Sequence, residues 1–195
     1  MVHTYRFAQD KIKQTALFKL LQIPHPATRI FYARTKREKI LSYFNFPFVA
    51  KIPRGSALGR GVFLIRTPDE LEQYCRLTKV AYVQEYLPID RDLRVVIVGN
   101  RPVHAYWRIS APDEFRSNVG QGATISFDDI PEPAVTLALD TARRCGWNDV
   151  GMDICMHDKG FYVLEANMKY GKAGFVQAGK NYYQMVEAMI RNGEI

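Results

Sequence analysis

The chain opens on a helical period. From Phe7 to Leu21 the apolar residues Ile12, Ala16, Leu17, Leu20 and Leu21 recur at spacings of three to five, predicting an amphipathic helix that Pro24 and Pro26 stop. The period then shortens. Thr28 to Tyr32 reads as a strand, Lys36 to Phe44 as a helix, and Phe46 to Ile52 as a strand that runs into glycine. Val62 to Ile65 predicts the returning strand, Pro68 to Leu77 a helix begun by proline, and Val80 to Leu87 a strand rich in branched and aromatic side chains.

Two hairpins mark the second half. Leu93 to Val98 and Val103 to Ile109 flank Gly99, Asn100, Arg101 and Pro102, which is strong turn chemistry. Val150 to Met156 and Phe161 to Asn167 predict another pair around Asp158, Lys159 and Gly160. Between them, Ser110 to Asp129 has no clear period and exceeds the ~12 to 15 residues of an ordinary loop, which points to function. Pro133 to Cys145 reads as a helix ended by Gly146, and Phe175 to Arg191 as the closing helix. No repeat, low-complexity tract or long linker interrupts the pattern.

Composition narrows the classes. In 195 residues, a hydrophobic content of 47% is enough to bury a core, so disorder is not the default. Cys75, Cys145 and Cys155 form no CxxC pair, which argues against a disulfide framework or a zinc site and for a reducing, cytoplasmic compartment. There is no apolar stretch of signal length at the start and no run near the ~20 residues of a spanning helix. The net charge of +7 suits nucleic acid, an anionic membrane or a polyanionic small ligand alike. Its densest basic stretch, Arg34 to Lys39, reads as a solvated helix face.

Three constellations carry chemistry. In the last hairpin Val150, Met152, Ile154 and Met156 alternate with Gly151, Asp153 and Cys155, so Asp153 faces away from the methionines. A three-residue loop with Gly160 in the left-handed position would set Asp153 opposite Glu165, with Asn167 on the same face; a two-residue loop would turn Glu165 away. Two carboxylates about 5 Å apart repel by about 3 kcal/mol at an effective dielectric of 20, so a flanking cation or a shared proton is needed. A magnesium or manganese ion and a structural bridge to Lys169, Lys172 or an arginine fit this segment equally. The second constellation is Lys51 before a glycine-rich stretch with Arg54, Gly55, Ser56, Gly59, Arg60 and Gly61, which resembles a phosphate cradle without the Walker ending and, by itself, reads equally as a flexible hairpin loop. The third is Gln84, Glu85, Tyr86 and Leu87, with Asp92 and Arg94 on the next strand.

In this order the three pieces resemble the ATP-grasp pattern, and Gln84 to Arg94 with Phe115 to Ala123 resembles specifically the RimK-type ribosomal-protein glutamate ligases. The resemblance covers nearly the whole chain. It implies an α+β fold in which two lobes with antiparallel sheets grip ATP between them: a small lobe over about 27–86, a larger one over about 87–195, and the helix 7–21 leading in. It implies that Lys11, Lys51 and the glycines hold nucleotide phosphate, that Glu85 and Leu87 read adenine through their backbone, and that Asp92 takes the ribose hydroxyls. Arg108, Arg116 and Asn118 match residues around the terminal phosphate, and Asp153, Glu165 and Asn167 match the metal-binding Asp and Glu-x-Asn, which tips those carboxylates towards Mg2+ or Mn2+.

The activity implied is an ATP-dependent carboxylate-amine ligation through an acyl phosphate, on an acidic amino acid or peptide. Lys11, Lys51, Arg94, Arg108 and Arg116 are then expected to line one cleft. The chain departs from the family at Gln121, Gly122 and Ala123, and at Met168 to Tyr170 in place of Ser-Pro-Gly. It also begins almost at the Asp10-Lys11 helix, without the usual N-terminal domain, so a homodimer or partner subunit is the expected replacement. Two rivals stand below this reading. One is a phosphotransferase or a partner-dependent ATP-grasp subunit without ligase activity. The other is a basic nucleic-acid-binding module, against which the interleaved acids and the lack of an RNA-stacking motif argue.

Overall fold

A computed structural model of the chain describes residues 10–32, 36–54, 61–112, 122–158 and 160–195. The chain divides into two compact units, Asp10–Pro88 and Ile89–Ile195.

The first unit contains helices α1 (Lys11–Leu20), α2 (Lys36–Leu41) and α3 (Pro68–Leu77) and strands β1 (Thr28–Phe31), β2 (Phe48–Lys51), β3 (Val62–Ile65) and β4 (Ala81–Glu85). All neighbours in its sheet, order β1-β4-β2-β3, are antiparallel. Thr67 and Glu70 form a reciprocal capping box that starts α3 just ahead of Pro68. The helix then buries Leu71 and Tyr74 against Phe48, Ala50, Ile65 and Val83 of the sheet. Each large apolar side chain buried this way contributes about 1.5–3 kcal/mol. The Tyr74 hydroxyl donates to the Lys51 carbonyl at 2.7 Å and accepts from the Tyr82 N–H at 2.9 Å, so α3 pins the end of β2. β2 begins later than the apolar run because Pro47 has no N–H to offer the ladder.

The stripe expected of the first helix is not the buried one. Gln14, Thr15 and Phe18 are buried, whereas Ala16 is exposed and Leu20 is 79% exposed. A tertiary hydrogen bond outweighs the hydrophobic pattern: Thr15 Oγ1 lies 2.7 Å from the Tyr82 hydroxyl. At Lys11 the helix is begun by Asp10, whose Oδ1 accepts from the N–H groups of Ile12 and Lys13 as an N-cap. Residues 7–9 lie outside the described residues.

The second unit is a five-stranded antiparallel sheet, order β7-β6-β5-β8-β9, of β5 (Arg91–Val98), β6 (Arg101–Ile109), β7 (Thr124–Ser126), β8 (Asp149–His157) and β9 (Gly160–Asn167). Helix α4 (Glu132–Cys145) packs across β5, β6, β8 and β9. Two-residue turns close both hairpins. In the first, Val98 pairs with Arg101 around Gly99 and Asn100, so Arg101 and Pro102 are strand rather than turn, and a bulge follows at Val103. Strand β7 lies inside the segment expected to be structureless.

The closing helix is two helices, α5 (Ala173–Gln177) and α6 (Tyr182–Arg191). Gly179 at φ 68 takes a left-handed conformation that ends the first, and the Asn181 side chain caps the second through the N–H groups of Tyr183 and Gln184. Phe175 and Met189 from these helices join Tyr170, Val96 and Val98 in a core cluster on one face of the sheet.

Candidate active site

The last hairpin departs from its expected geometry yet reaches the expected pairing. His157 pairs with Gly160, so the loop has two residues, Asp158 and Lys159, and the left-handed residue is Asp158 at φ 46 rather than Gly160. Lys159 lies outside the described residues. That loop alone would pair Asp153 with Leu164. A bulge between Ile154 and Asp153 leaves Leu164 without an opposite residue and sets Asp153 across from Glu165, and Gly151 across from Asn167.

Around Asp153 the sheet gathers a buried charge network. Asp153 stands opposite Arg94 on β5, and Arg94 donates from Nε to Oδ1 at 2.5 Å and from Nη2 to Oδ2 at 3.2 Å. Asp92, two residues earlier, is opposite Arg108 on β6, which grips both its oxygens at 2.7 Å. Arg108 Nη2 also reaches Asp153 Oδ2 at 3.0 Å, and Asn167 Nδ2 donates to that oxygen at 3.2 Å. All four charged residues are at most 7% exposed. Their even spacing along β5 and β6 puts Asp92, Arg94 and Arg108 on one face, as a period of two requires.

The two aspartates differ because they share the arginines unequally. Burial pushes both carboxyls upward; at Asp153 the charges of Arg108 and Arg94 outweigh it and hold the group below the ordinary carboxylate range. Asp92 has Arg108 alone at hydrogen-bonding distance and lies close to the Asp153 charge, so burial wins and its pKa is raised. Burial opposes the Arg108 charge, but Asp153 and Asp92 outweigh it and raise its pKa.

Beside the network a Cβ on Gly151 would meet the Tyr170 side chain at 2.8 Å and Arg94 Nη1 at 3.1 Å, so only glycine lets Tyr170 close over Arg94. The Tyr170 hydroxyl donates to Asp149 at 2.6 Å, and Lys172 Nζ lies 3.6 Å and 3.3 Å from the ring centres of Tyr170 and Tyr182. Burial, with Arg94 adding to it against the opposing Asp149, pushes the Lys172 amine down to about 8. Of this aromatic-ammonium cluster, the sequence showed that Met168 to Tyr170 replace a family motif and offered Lys172 as a partner of the carboxylates, not of two tyrosine rings. Tyr170 and Tyr182 stand in different elements, and the break between α5 and α6 is what brings their rings together.

In the first unit Lys51 is buried at the end of β2, 5.9 Å from the ring centre of Tyr82 opposite it. Lys11 opens α1, and its N–H reaches the Pro53 carbonyl at 3.4 Å, so both predicted phosphate lysines adjoin one backbone junction. Asp10 adds a second tie that the sequence did not reveal: its Oδ2 accepts from Arg54 Nε at 2.8 Å. Glu85 accepts from the Ala27 N–H at 2.5 Å and donates its own N–H to the Ala27 carbonyl at 2.9 Å, while Gln84 is buried against Thr28 Oγ1 at 3.0 Å. Tyr86 and Leu87 are half-buried beyond the strand, and Gly61 stands at the start of β3 with its carbonyl accepting from the Ile52 N–H at 2.7 Å. Gly55, Ser56, Gly59, Arg116 and Asn118 lie outside the described residues. Among the described residues, no three His, Cys, Asp or Glu side chains gather closely enough to hold a metal by themselves, and no helix is long and apolar enough to cross a membrane.

The sequence and the fold were compared with known proteins. A probable alpha-L-glutamate ligase of Pseudomonas putida is 31% identical over 196 residues, covering 95% of this chain and 64% of the relative. The coenzyme gamma-F420-2:alpha-L-glutamate ligase of Methanocaldococcus jannaschii is 30% identical over 97% of this chain and 68% of its own length. The chain thus spans just under two thirds of the length of the Pseudomonas relative. Its fold is similar to that of the ATP-grasp ligase PsnB complexed with minimal precursor, with a TM-score of 0.73 at 20% identity over 97% of this chain and 62% of that one. It is also similar to D-alanine--D-alanine ligase of Bacillus anthracis complexed with ATP, with a TM-score of 0.72 at 16% identity over 95% and 65%. The RimK-like ATP-grasp domain model matches residues 8–189, nearly end to end, and the chain belongs to that family.

Proposed function

We propose that this chain is the catalytic core of an ATP- and Mg2+-dependent carboxylate-amine ligase that acts through an acyl phosphate. The observation that carries the reading is the convergence of Asp153, Glu165, Asn167, Arg94 and Arg108 on one face of the sheet, in a chain of the RimK-like family.

The donor set fits a hard divalent cation in kind. Asp153 and Glu165 stand opposite each other on β8 and β9, with the Asn167 amide at Asp153 and Arg94 and Arg108 beside it. Asp153, Glu165 and the Asn167 amide oxygen, brought round by turning the amide over, are oxygen ligands of the number magnesium takes when substrate phosphate and water complete its shell. When bound, Mg2+ and ATP supply the transferable phosphate and neutralise its charge. Arg108 and Arg94 hold Asp153 in place, and their donors stabilise negative charge nearby.

Lys51 and Lys11 are the proposed phosphate cations of the first unit, with Gly55, Ser56, Gly59 and Gly61. Since the Glu85 N–H is committed to Ala27, adenine would meet that residue through its carbonyl and Leu87 through its N–H. Gln84 and Tyr86 complete the wall. Asp92, gripped on both oxygens by Arg108, fits a role in holding Arg108 better than one on the ribose. Arg116 and Asn118 are proposed at the terminal phosphate. The relatives' names make glutamate or a glutamyl peptide the first carboxylate and amine to test. A cytoplasmic setting and a homodimer or partner subunit remain part of the proposal.

The test is product analysis. Incubating the chain with ATP, Mg2+, glutamate and hydroxylamine should release phosphate and form a glutamyl hydroxamate, which reports an acyl phosphate. ADP formed with phosphate on a hydroxyl instead would make the protein a phosphotransferase.

A further inference from the structure

We infer that the second unit carries a carboxylate-binding pocket apart from the arginine–aspartate network, with Lys180 as its cation and His104 as its floor. The pocket is an open one of about 650 Å³, which is within the ~300 to 1,000 Å³ of small-ligand sites. Val103, Phe127 and Ile130 give it apolar walls, while Gln177, Lys180 and His104 are its polar groups. Few convergent polar groups on an apolar lining is the make-up that orients a ligand.

The pocket is separated from Arg108 in two ways. His104 lies four residues back along β6, about 14 Å at ~3.4 Å per residue. Between them α5 closes on the sheet: a Cβ on Gly174 would meet the Tyr106 ring at 2.3 Å, so the helix sits directly on that tyrosine. Beyond Trp107 the β6–β7 ladder stops, and among the described residues Val103 to Ala105 form an open strand edge beside the cavity.

Chemistry at the floor selects an anion. His104 is 8% exposed, packed among Tyr106, Phe127 and Phe175, and its Nε2 lies 3.0 Å from the Gly174 carbonyl. A carbonyl can only accept, so Nε2 carries the proton and donates. The other nitrogen, Nδ1, faces Lys180 Nζ at 3.5 Å. Lys180 is exposed, but its backbone N–H is anchored to the Phe175 carbonyl at 2.8 Å. Burial foremost, with Lys180 assisting against the Gly174 bond, lowers the His104 pKa. Asp128, the neighbouring acid after Phe127, is turned to the Ser126 hydroxyl at 3.0 Å, and Asp129 is exposed. A carboxylate on Lys180 Nζ would compensate its charge and bring an acceptor within reach of Nδ1, so that His104 takes up a proton more readily and donates it to the ligand. A free amino acid and an acidic peptide both offer that group.

The test follows the His104 ring by NMR in the full chain at pH 7 and constant ionic strength, with His104→Gln identifying the signal. L-glutamate and a tetraglutamate peptide are added in separate titrations. A saturable shift is expected, weakened by about tenfold or more in Lys180→Gln, as loss of one charge-assisted hydrogen bond requires. Tighter binding of the peptide would assign the pocket to peptide substrates or products, and equal binding to the free amino acid. The same shift with chloride, no shift, or equal binding by Lys180→Gln would overturn the inference. So would loss of binding in Lys11→Gln, because the carboxylate would then sit at the reaction site. None of these readouts uses ATP turnover, so the pocket and the ligase reading can fail separately.

Discussion

Asp153 faces Glu165 across the β8–β9 ladder because Leu164 is bulged out of it. The bulge undoes the register of a two-residue turn and keeps both carboxylates on one face of the sheet.

This pairing makes Glu165 the cleaner test of metal binding. Glu165→Gln keeps volume and is expected to raise the Mg2+ concentration for half-maximal ATP turnover by about tenfold or more, through loss of one charged ligand. Magnesium titration of phosphate release measures it. Asp153→Asn is expected to lose turnover as well, but also stability, because it removes the carboxylate that two arginines share. Unchanged metal dependence in Glu165→Gln would place the cation elsewhere.

Arg108→Met leaves Asp92 with no arginine at hydrogen-bonding distance and Asp153 with one. Removing one partner of a buried ion pair costs about 3–5 kcal/mol, which denaturant unfolding of the second unit would report. Adding Asp92→Asn to Arg108→Met should recover part of that loss, since the stranded charge is then gone. A purely additive double mutant would mean that the two residues are not coupled.

The network also sets a pH response with two limbs. The folded pKa of Asp92 is raised, so the folded chain takes up that proton before the unfolded chain, and stability rises as pH falls towards the ordinary aspartate value of about 3.9. The folded pKa of Asp153 is depressed, so its contribution is present above that value and is lost as pH falls from it through the folded pKa. The combined contribution peaks near pH 4. Unfolding free energies measured across this range should lose the upper limb, and keep the lower one, in Asp92→Asn.

Lys51→Met is expected to weaken binding of a nonhydrolysable ATP analogue by about tenfold or more, against little change for the exposed Lys79→Met. The aliphatic replacement fills the same buried space at the end of β2, so the comparison isolates the charge. Calorimetry decides it, and equal affinities would remove Lys51 from the phosphate site.

Gly174→Ala should cost about 1–3 kcal/mol, because its Cβ would run into the Tyr106 ring and force α5 off the sheet. Thermal unfolding measures the loss. An alanine variant as stable as the parent would show that α5 is free to move.

Local chemistry was enough to read much of this protein from its sequence. Val62 to Ile65 and Pro68 to Leu77 have the bounds that β-branched runs and a proline start imply, since nearest neighbours decide them. The positions of Lys51, Gln84 to Leu87, Asp92 and Glu-x-Asn follow from the order of the elements, and with them the family. Tertiary structure decided what long-range partners control. The first helix buries Gln14 and Thr15 rather than its leucines because Tyr82, 67 residues on, supplies a hydroxyl. The closing helix is cut at Gly179 and Asn181, where a local propensity for helix yields to a cap and a left-handed residue. Asp92 and Arg94 stand two residues apart along the chain, and each meets a buried partner that only strand pairing brings near: Arg108 from β6 and Asp153 from β8. Low-dielectric burial forces such charges to find each other, and a one-dimensional pattern does not say which pairs will meet.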